Sequence, residues 1–490
     1  MKPSKYQQDI YQNLLTTNKN LLVDAGPGSG KSTTLVEASK LLPYGKKCIF
    51  MAFNKRIVEE LKAKLPEAVQ CSTMHSLGMS AIRKYYNGNV KVDEKKQIKF
   101  IESFCDKEGR SPKEKWSLVY QVDKIMSLVR ATMTPWNVES IVEMCERYAI
   151  DEDEEKTNIT IRSLNKMKSY NNNQDRFSMT VDFQDMIEMP VNDKDIKMPL
   201  FDYVLIDECQ DCSKLDQLFL DKLVKPMTGR KILVGDEKQS IYSFRGADPN
   251  SFKAFSEQKN TIKLPLSISY RCAKNIVKEA QKIYKDIEVC ETNEDGIVRK
   301  GKVTEIQDGD FVLCRNVRPL VDVFLQLIEL GKKVYIVGKD SEKGLLELLH
   351  KIRATNYKEA EVEIRKLTIQ LEEQLKAKGV KNPAFHPKMI SYFEKKEILL
   401  TLFKKLDLYG AVENFIETIF NDEERDGIAL MTIHRSKGLE CNTVFMIEKY
   451  EGRNLIPSTY AITPDQKKQE KNLLFVAITR AKKELVYLHL

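Results

Sequence analysis

The chain has 490 residues, 42% hydrophobic and 31% charged, with Lys+Arg 79 against Asp+Glu 71 and a formal net charge of +8. That length suits two to four domains with ample core, and the mild basic excess is compatible with nucleic acid without requiring it. A secretory leader and a membrane span are both excluded from the expectation: no N-terminal apolar segment has the signal-peptide form, and no run approaches the roughly 18 apolar residues of a span.

In chain order, short apolar runs ending in polar chemistry recur: "NLLVDAG", "KKCIFMAFNK", "YVLIDE", "KILVGD", "GDFVLCR", "KKVYIVG" and "TVFMIE". Runs of this length alternating with helical patterns predict buried strands of parallel sheets in an α/β protein. They fall into two sets, one up to about residue 270 and one from about 295 onward. Two stretches break the rhythm. Residues 81–180 read as mostly helical, with "DEDEEK" (151–156) and "NNNQD" (171–175) expected as solvated loops. Residues 341–425 form a second helical block, in which Ile364, Leu367, Leu371 and Leu375 recur at helical spacing as core packing. The ten cysteines are scattered. Cys209 and Cys212 form a C-x-x-C pair without the partners of a zinc site, so they are expected as buried structural thiols in a reducing compartment.

The first run opens into "DAGPGSGKSTT" (24–34). A strand entering a Gly-rich turn that starts a helix aims backbone N–H groups at one point, where they can cradle polyphosphate. Lys31 can reach the β- and γ-phosphates and the Ser32 hydroxyl can ligate Mg²⁺. The strict phosphate-loop pattern has Gly where this chain has Ala25, so the loop is judged with its company. In "FDYVLIDECQD" (201–211) the pair Asp207-Glu208 stands at the tip of a buried strand, where α/β sheets bind ligands. There one carboxylate can hold Mg²⁺ and its neighbour can orient or deprotonate water. In "VGDEKQSIYSFRGAD" (234–248) Gln239 is followed by Tyr242, Phe244 and Arg245, the groups that stack on bases and neutralise a single-strand backbone.

With these residues on the page, "GDEKQSIYSFRGAD" resembles motif III of the UvrD/Rep/PcrA group of superfamily 1 helicases, and the other motifs follow in the family's order. "PSKYQQDIY" resembles the Q motif. "AGPGSGKS" resembles motif I, where Ala at the first position is usual in that group. "MAFNKRIVEEL" resembles motif Ia, "STMHSLG" Ib, "LSISYRC" IV, "MTIHRSKGLE" V and "NLLFVAITRAKKEL" VI. The "AFNK" form is closest in look to the F-box-helicase and phage-type branch.

The resemblance implies an α/β fold of two RecA-like domains with helical insertions and ATP in the cleft between them. The first motor domain would comprise 1–80 and 181–270 with its insertion at 81–180. The second would comprise 271–340 and 426–490 around a reduced insertion at 341–425, much shorter than that of the full-length bacterial enzymes. The cofactors implied are ATP and Mg²⁺. Ala25, Gly26, Pro27, Gly28, Ser29, Gly30, Lys31, Ser32 and Thr33 would form the phosphate site, with Ser32 and Asp207 on the metal. Glu208 would be the base, Gln239 the γ-phosphate sensor, and Arg271 and Arg480 arginine fingers. Gln7 would read adenine, Tyr270 would stack on it, and Glu440 would touch the nucleotide. Thr33 stands where relatives often carry an Arg closing the adenine sandwich, which implies looser base selectivity. Phe53, Asn54, His75, Tyr242, Phe244, Arg245, Thr432 and His434 would line the path of single-stranded DNA.

The function so implied is an ATP-dependent DNA translocase and helicase of 3′ to 5′ polarity. It would act on single strands and single/double-strand junctions in the cytoplasm of a bacterium or phage-infected cell. The alternative is a nucleotide-gated motor subunit that serves a partner nuclease or recombination factor and unwinds little by itself.

Overall fold

The computed structural model describes the whole chain except residues 1–2, 53–54, 107–109, 149, 151, 175–178, 242–247, 249, 378–381, 422–425 and 462. It divides into two units, Met1–Ser267 and Ile268–Leu490. The strands of the first are β1 (Asn20–Ala25), β2 (Cys48–Ala52), β3 (Val69–Thr73), β4 (Val90–Val92), β5 (Met179–Val181), β6 (Tyr203–Ile206), β7 (Arg230–Gly235) and β8 (Thr261–Leu266). Its helices are α1 (Lys5–Thr16), α2 (Lys31–Lys40), α3 (Lys55–Lys62), α4 (Met74–Tyr85), α5 (Lys96–Cys105), α6 (Pro112–Thr132), α7 (Val138–Arg147), α8 (Glu154–Asn172), α9 (Asp185–Asn192), α10 (Lys214–Leu223) and α11 (Ser251–Ser256).

Six of these strands form one parallel sheet in the order β3-β2-β6-β7-β1-β8. Both faces are covered, which is why the strands read as near-continuous apolar runs. Alternate residues serve opposite faces. Leu21, Val23, Phe50, Leu205, Ile232 and Val234 pack with Ile10 and Leu14 of α1 and Leu35 of α2. Leu22, Ile49, Met51, Val204, Ile206 and Leu233 pack with Leu77 of α4, Phe219 of α10 and Phe255 of α11. Cys209 and Cys212 are free thiols inside this second cluster, both fully buried, and burial holds each thiol well above its ordinary pKa.

The helical block of this unit leaves and returns through one small ribbon, β4 paired parallel with β5. Between them α5 to α8 enclose a core of their own around Ile101, Val122, Ile125, Ile141 and Leu164. Both loops expected here are corrected in part. Asp153 caps α8 through the Lys156 N–H, and Glu154 and Glu155 lie in its first turn, where carboxylates favour the helix N-terminus. Asn171 and Asn172 end the same helix. From Asp153 onward the acidic run is therefore a helix start rather than a loop.

A buried polar hub ties this block to the sheet domain. Arg130 of α6, 1% exposed, donates to Glu188 (2.6 Å), Gln97 (2.8 Å), Asp182 (2.8 Å) and Asp185 (2.7 Å). Lys96 of α5 donates to Asp185 and Asn171, both at 2.6 Å. Helix α9, which carries Asp185 and Glu188, packs on α4, where Gly78 admits the Met186 carbonyl at close range.

The second unit is built on β9 (Ile268–Ser269), β10 (Glu288–Val289), β11 (Ile297–Lys300), β12 (Phe311–Cys314), β13 (Val334–Val337), β14 (Phe420–Asn421), β15 (Ile428–Thr432), β16 (Cys441–Tyr450), β17 (Arg453–Asn454) and β18 (Ala481–His489). Its main sheet runs β11-β18-β16-β12-β15-β13-β14, with β17 antiparallel on β16 and β9 paired with β10 apart from it. Helices Tyr357–Ala377 and Pro387–Leu406 belong to the second helical block, and Ile364 joins the core shared with Leu399, Phe403 and Val412. Leu375 is buried and Leu367 packs against that core, as expected, whereas Leu371 is half-buried. Among the described residues no helix is long and apolar enough to cross a membrane.

Candidate functional site

Strands β6, β7 and β1 are neighbours and parallel, so their carboxyl ends present residues 207–208, 236–239 and 26–32 along one edge. After β1, Gly28 (φ +66°) and Gly30 (φ +80°) take the left-handed region that a side chain resists. Gly30 is the N-cap of α2 and supplies no side-chain cap, which leaves first-turn N–H groups of the helix for an anion. The Ser29 hydroxyl is fully buried without a hydrogen-bond partner. Ala25 and Pro27 are buried, and the Gly26 N–H donates to the Leu266 carbonyl (3.0 Å). The loop is thus anchored to the sheet through Gly26.

Ser32 Oγ lies 2.5 Å from Asp207 Oδ2. Lys31 Nζ lies 3.3 and 3.4 Å from the two Glu208 oxygens. Gln239, 4% exposed, donates to Asp236 Oδ2 at 2.6 Å. Burial opposes the Lys31 charge, yet Glu208, Asp236 and Asp207 outweigh it and hold the ammonium above its ordinary pKa. Burial, then the Glu208 charge, pushes the Asp207 carboxyl up to about 6, and burial likewise raises Asp236. Three carboxylates, Asp207, Glu208 and Asp236, thus surround Lys31, and Lys238 also acts on Asp236. The hydroxyl and carboxylate oxygens of Ser32 and Asp207 suit a hard divalent cation such as Mg²⁺, which takes one or two protein oxygens and completes its shell with phosphate and water. Among the described residues no cluster of three or more His, Cys, Asp or Glu offers a site built wholly from protein.

Gln7 sits beside this loop. Its Oε1 accepts from the Ser4 N–H (2.9 Å) in a capping box of α1, and its Nε2 donates to Thr34 Oγ1 (3.0 Å). Thr33 is exposed next to it.

At the same sheet edge, His75 follows β3 in the first turn of α4, capped by Thr73. Its ring is exposed and meets Phe183 edge-on, with centroids 6.3 Å apart. Partial desolvation by the surrounding protein nonetheless lowers the His75 pKa, against the opposing Asp216 charge. Phe53, Asn54, Tyr242, Phe244 and Arg245 lie outside the described residues.

In the second unit, Arg271 Nε pairs with Glu440 (2.5 Å), whose other oxygen takes Lys482 (2.7 Å). Burial pushes the Glu440 carboxyl up, but Lys482 and Arg271 outweigh it and hold it below its ordinary value. Arg480 is 1% exposed, and its guanidinium donates to the carbonyls of Val476 (3.0 Å) and Leu439 (3.1 Å). The side chain expected as a finger is therefore engaged with backbone in this conformation. Tyr270 is half-buried. Thr432 ends β15, where its carbonyl accepts from the Arg435 N–H (2.9 Å), and His434 follows, half-buried.

Three residues at the first unit's edge escaped the sequence reading: Gln210, Asp236 and Phe183. Gln210 and Asp236 stand inside quoted motifs, and their signal is a polar side chain directly after a buried strand. Phe183, half-exposed between Asp182 and Asp185, is an aromatic surface residue whose neighbours are both spoken for.

A family profile described as the UvrD/REP helicase N-terminal domain matches residues 6–260, and one described as the UvrD-like helicase C-terminal domain matches residues 363–489. The chain is 25% identical over 545 residues to F-box DNA helicase 1 of Gallus gallus, covering 99% of this chain and 49% of that protein. It is 24% identical over 619 residues to the ATP-dependent DNA helicase Rep of Buchnera aphidicola subsp. Acyrthosiphon pisum, covering 96% and 92%. With F-box DNA helicase protein 1 of Schizosaccharomyces pombe it shares 24% over 528 residues, covering 98% and 56%. The chain thus spans about half the length of the F-box helicases and nearly all of the Buchnera protein.

Proposed function

The chain belongs to the UvrD/REP helicase family, and from that membership we propose that it is an ATP-dependent single-stranded DNA translocase and helicase moving 3′ to 5′. The observation that carries this reading is the convergence of Lys31, Ser32, Asp207, Glu208 and Gln239 on the ends of three adjacent strands. Lys31 and the loop amides neutralise the ATP phosphates. Ser32 and Asp207 hold Mg²⁺, which supplies further positive charge to the phosphates when bound. Glu208 takes the proton of the attacking water, and Gln239 senses the γ-phosphate. Arg271 and Arg480 are the cations on the γ-phosphate, a role worth on the order of 10³–10⁵ in rate. Gln7, Tyr270 and Glu440 contact the remainder of the nucleotide.

Phe53, Asn54, His75, Tyr242, Phe244, Arg245, Thr432 and His434 line the strand path, and Phe183 joins them as an exposed ring set edge-on to His75. Polarity rests on "QSIYSFRG", the form of motif III in the 3′ to 5′ group. The test is ATP turnover with and without single-stranded DNA, followed by unwinding of duplexes with a 3′ or a 5′ tail. DNA-stimulated turnover with unwinding from the 3′ tail is expected. Unwinding from the 5′ tail overturns the polarity, and turnover without strand separation favours a motor subunit that needs a protein partner.

A further inference from the structure

A cavity of about 780 Å³ lies inside the first unit, between the helical block and helices α4 and α9 of the sheet domain. Leu164 and Met167 of α8, Met189 of α9 and Met133 after α6 give it an apolar wall. Tyr85, at the end of α4, and Trp136 add two aromatic rings. Thioethers and rings of this kind line sites that take small organic ligands and adapt to their shape.

The inner wall is acidic. Asp185 and Glu188 line the cavity from the buried hub, with side chains only 1% and 12% exposed. Asp185 is saturated, because its oxygens accept from Lys96, Arg130 and the Asp182 N–H. Glu188 is not. Arg130 Nε reaches Oε2 at 2.6 Å, whereas no hydrogen bond among the described residues reaches Oε1. Burial pushes the Glu188 carboxyl up, and with Asp185 and Asp182 beside it the opposing Arg130 charge does not bring it back. A carboxylate oxygen so far withdrawn from water gains most from a charged donor.

The rim carries Asp193 together with the exposed Lys168 and Lys194. Exposed lysines of that length keep their ammonium groups in water. Lys168 also shows what the aromatic wall accepts: its Nζ stands over the Trp136 ring, 5.4 Å from the centroid.

We propose that this cavity binds a small aliphatic diamine or polyamine, one ammonium donating to Glu188 Oε1 and the methylene chain lying along Met133, Met167 and Met189. Its further ammonium groups turn to Asp193 at the rim. An anion would meet Asp185 and Glu188 at the inner wall, and a neutral apolar ligand would leave Oε1 without a donor. None of these residues takes part in the ATP-site reading, so the two are tested separately. Both the block and the sheet-domain helices wall the cavity, so a bound amine bridges them and stabilises the unit more as its concentration rises.

The chain has two tryptophans, Trp136 in the cavity wall and Trp116, exposed on α6. The full chain carrying Trp116→Phe is titrated with putrescine and with spermidine at constant ionic strength, without nucleotide or DNA. Trp136 emission and thermal melting are followed. Expected are a saturable change in emission and a melting temperature that rises with amine concentration. Glu188→Gln keeps an acceptor for Arg130 but loses the charge, and should weaken binding by at least about tenfold. Met189→Arg fills the cavity with a cation of the chain's own and should abolish the emission change. An emission and a melt that ignore both amines overturn the proposal. So does the same saturable change with sodium chloride or inorganic phosphate, or parent affinity in Glu188→Gln. Should Glu188→Gln fail to fold, Met189→Arg decides alone: a folded variant that binds spermidine as the parent does overturns the site.

Discussion

Replacing Arg130 with Met removes the one guanidinium that three buried carboxylates share. Asp182, Asp185 and Glu188 have side chains only 7%, 1% and 12% exposed, and Lys96 reaches Asp185 among them. Breaking a buried ion pair by deleting one partner costs about 3–5 kcal/mol, because the stranded charge stays out of water. At about 2–4 °C per kcal/mol for a unit of this size, the melting temperature should fall by roughly 6 to 20 °C. The loss has a defined pH dependence. Burial pushes the Asp182 carboxyl up, and Arg130 outweighs it and holds the group below its ordinary value. In the parent this contribution is present above the unfolded pKa and disappears as pH falls through the native one. In Arg130→Met only the Asp185 N–H and the Lys96 charge still oppose burial, the carboxyl takes up a proton more readily, and the penalty should be larger at pH 8 than at pH 5. Thermal melts of parent, Arg130→Met and Arg130→Lys at the two pH values make the test, with the Lys variant retaining charge without the planar fork and falling between. Arg130→Met melting within about 2 °C of the parent at pH 8, or a loss independent of pH, would refute the hub argument.

Lys31→Ala and Glu208→Gln should each abolish ATP turnover with the fold intact, and Glu208→Gln should still bind ATP, since it loses basicity and keeps shape; near-normal hydrolysis by either overturns the site. The pair Tyr242→Ala, Phe244→Ala should retain basal turnover but lose DNA stimulation, because each base–aromatic stack is worth about 1–3 kcal/mol; unchanged stimulation in a folded variant speaks against stacking. Arg480→Ala should lower turnover far more than ATP affinity and also lower the melting temperature, since its guanidinium serves the Val476 and Leu439 carbonyls; a collapse of affinity with the rate per bound ATP retained would make it a binding residue. Gly78→Ala should destabilise the first unit by about 1–3 kcal/mol, because its Cβ would overlap the Met186 carbonyl oxygen between α4 and α9; an unchanged melt shows that the two helices can part freely.

Local chemistry made the candidate nucleotide site readable from the chain alone. The loop at 25–32, the carboxylates 207–208 and Gln239 each follow an apolar run, and a parallel sheet must set the ends of such runs along one edge. The C-x-x-C pair and the stripe at Ile364 were equally legible, because burial follows from apolar company. The acidic run at 151–156 misled, since composition alone does not distinguish a solvated loop from a helix N-terminus that uses the same carboxylates as cap and first turn. Only the fold could place Arg130 among Asp182, Asp185 and Glu188, set Phe183 against His75, and seat Gln210 between Glu208 and Asp236. Arg130 and Glu188 are 58 residues apart, His75 and Phe183 farther still, and Gln210 and Asp236 follow different strands, and each is an ordinary polar or aromatic residue in its own sequence window. The sequence determined which residues are candidates for the chemistry, because motif spacing is local. Tertiary structure decided which of them touch, because the pairing of buried charges and amides depends on the order of strands β6, β7 and β1 and on the return of the chain through β4 and β5.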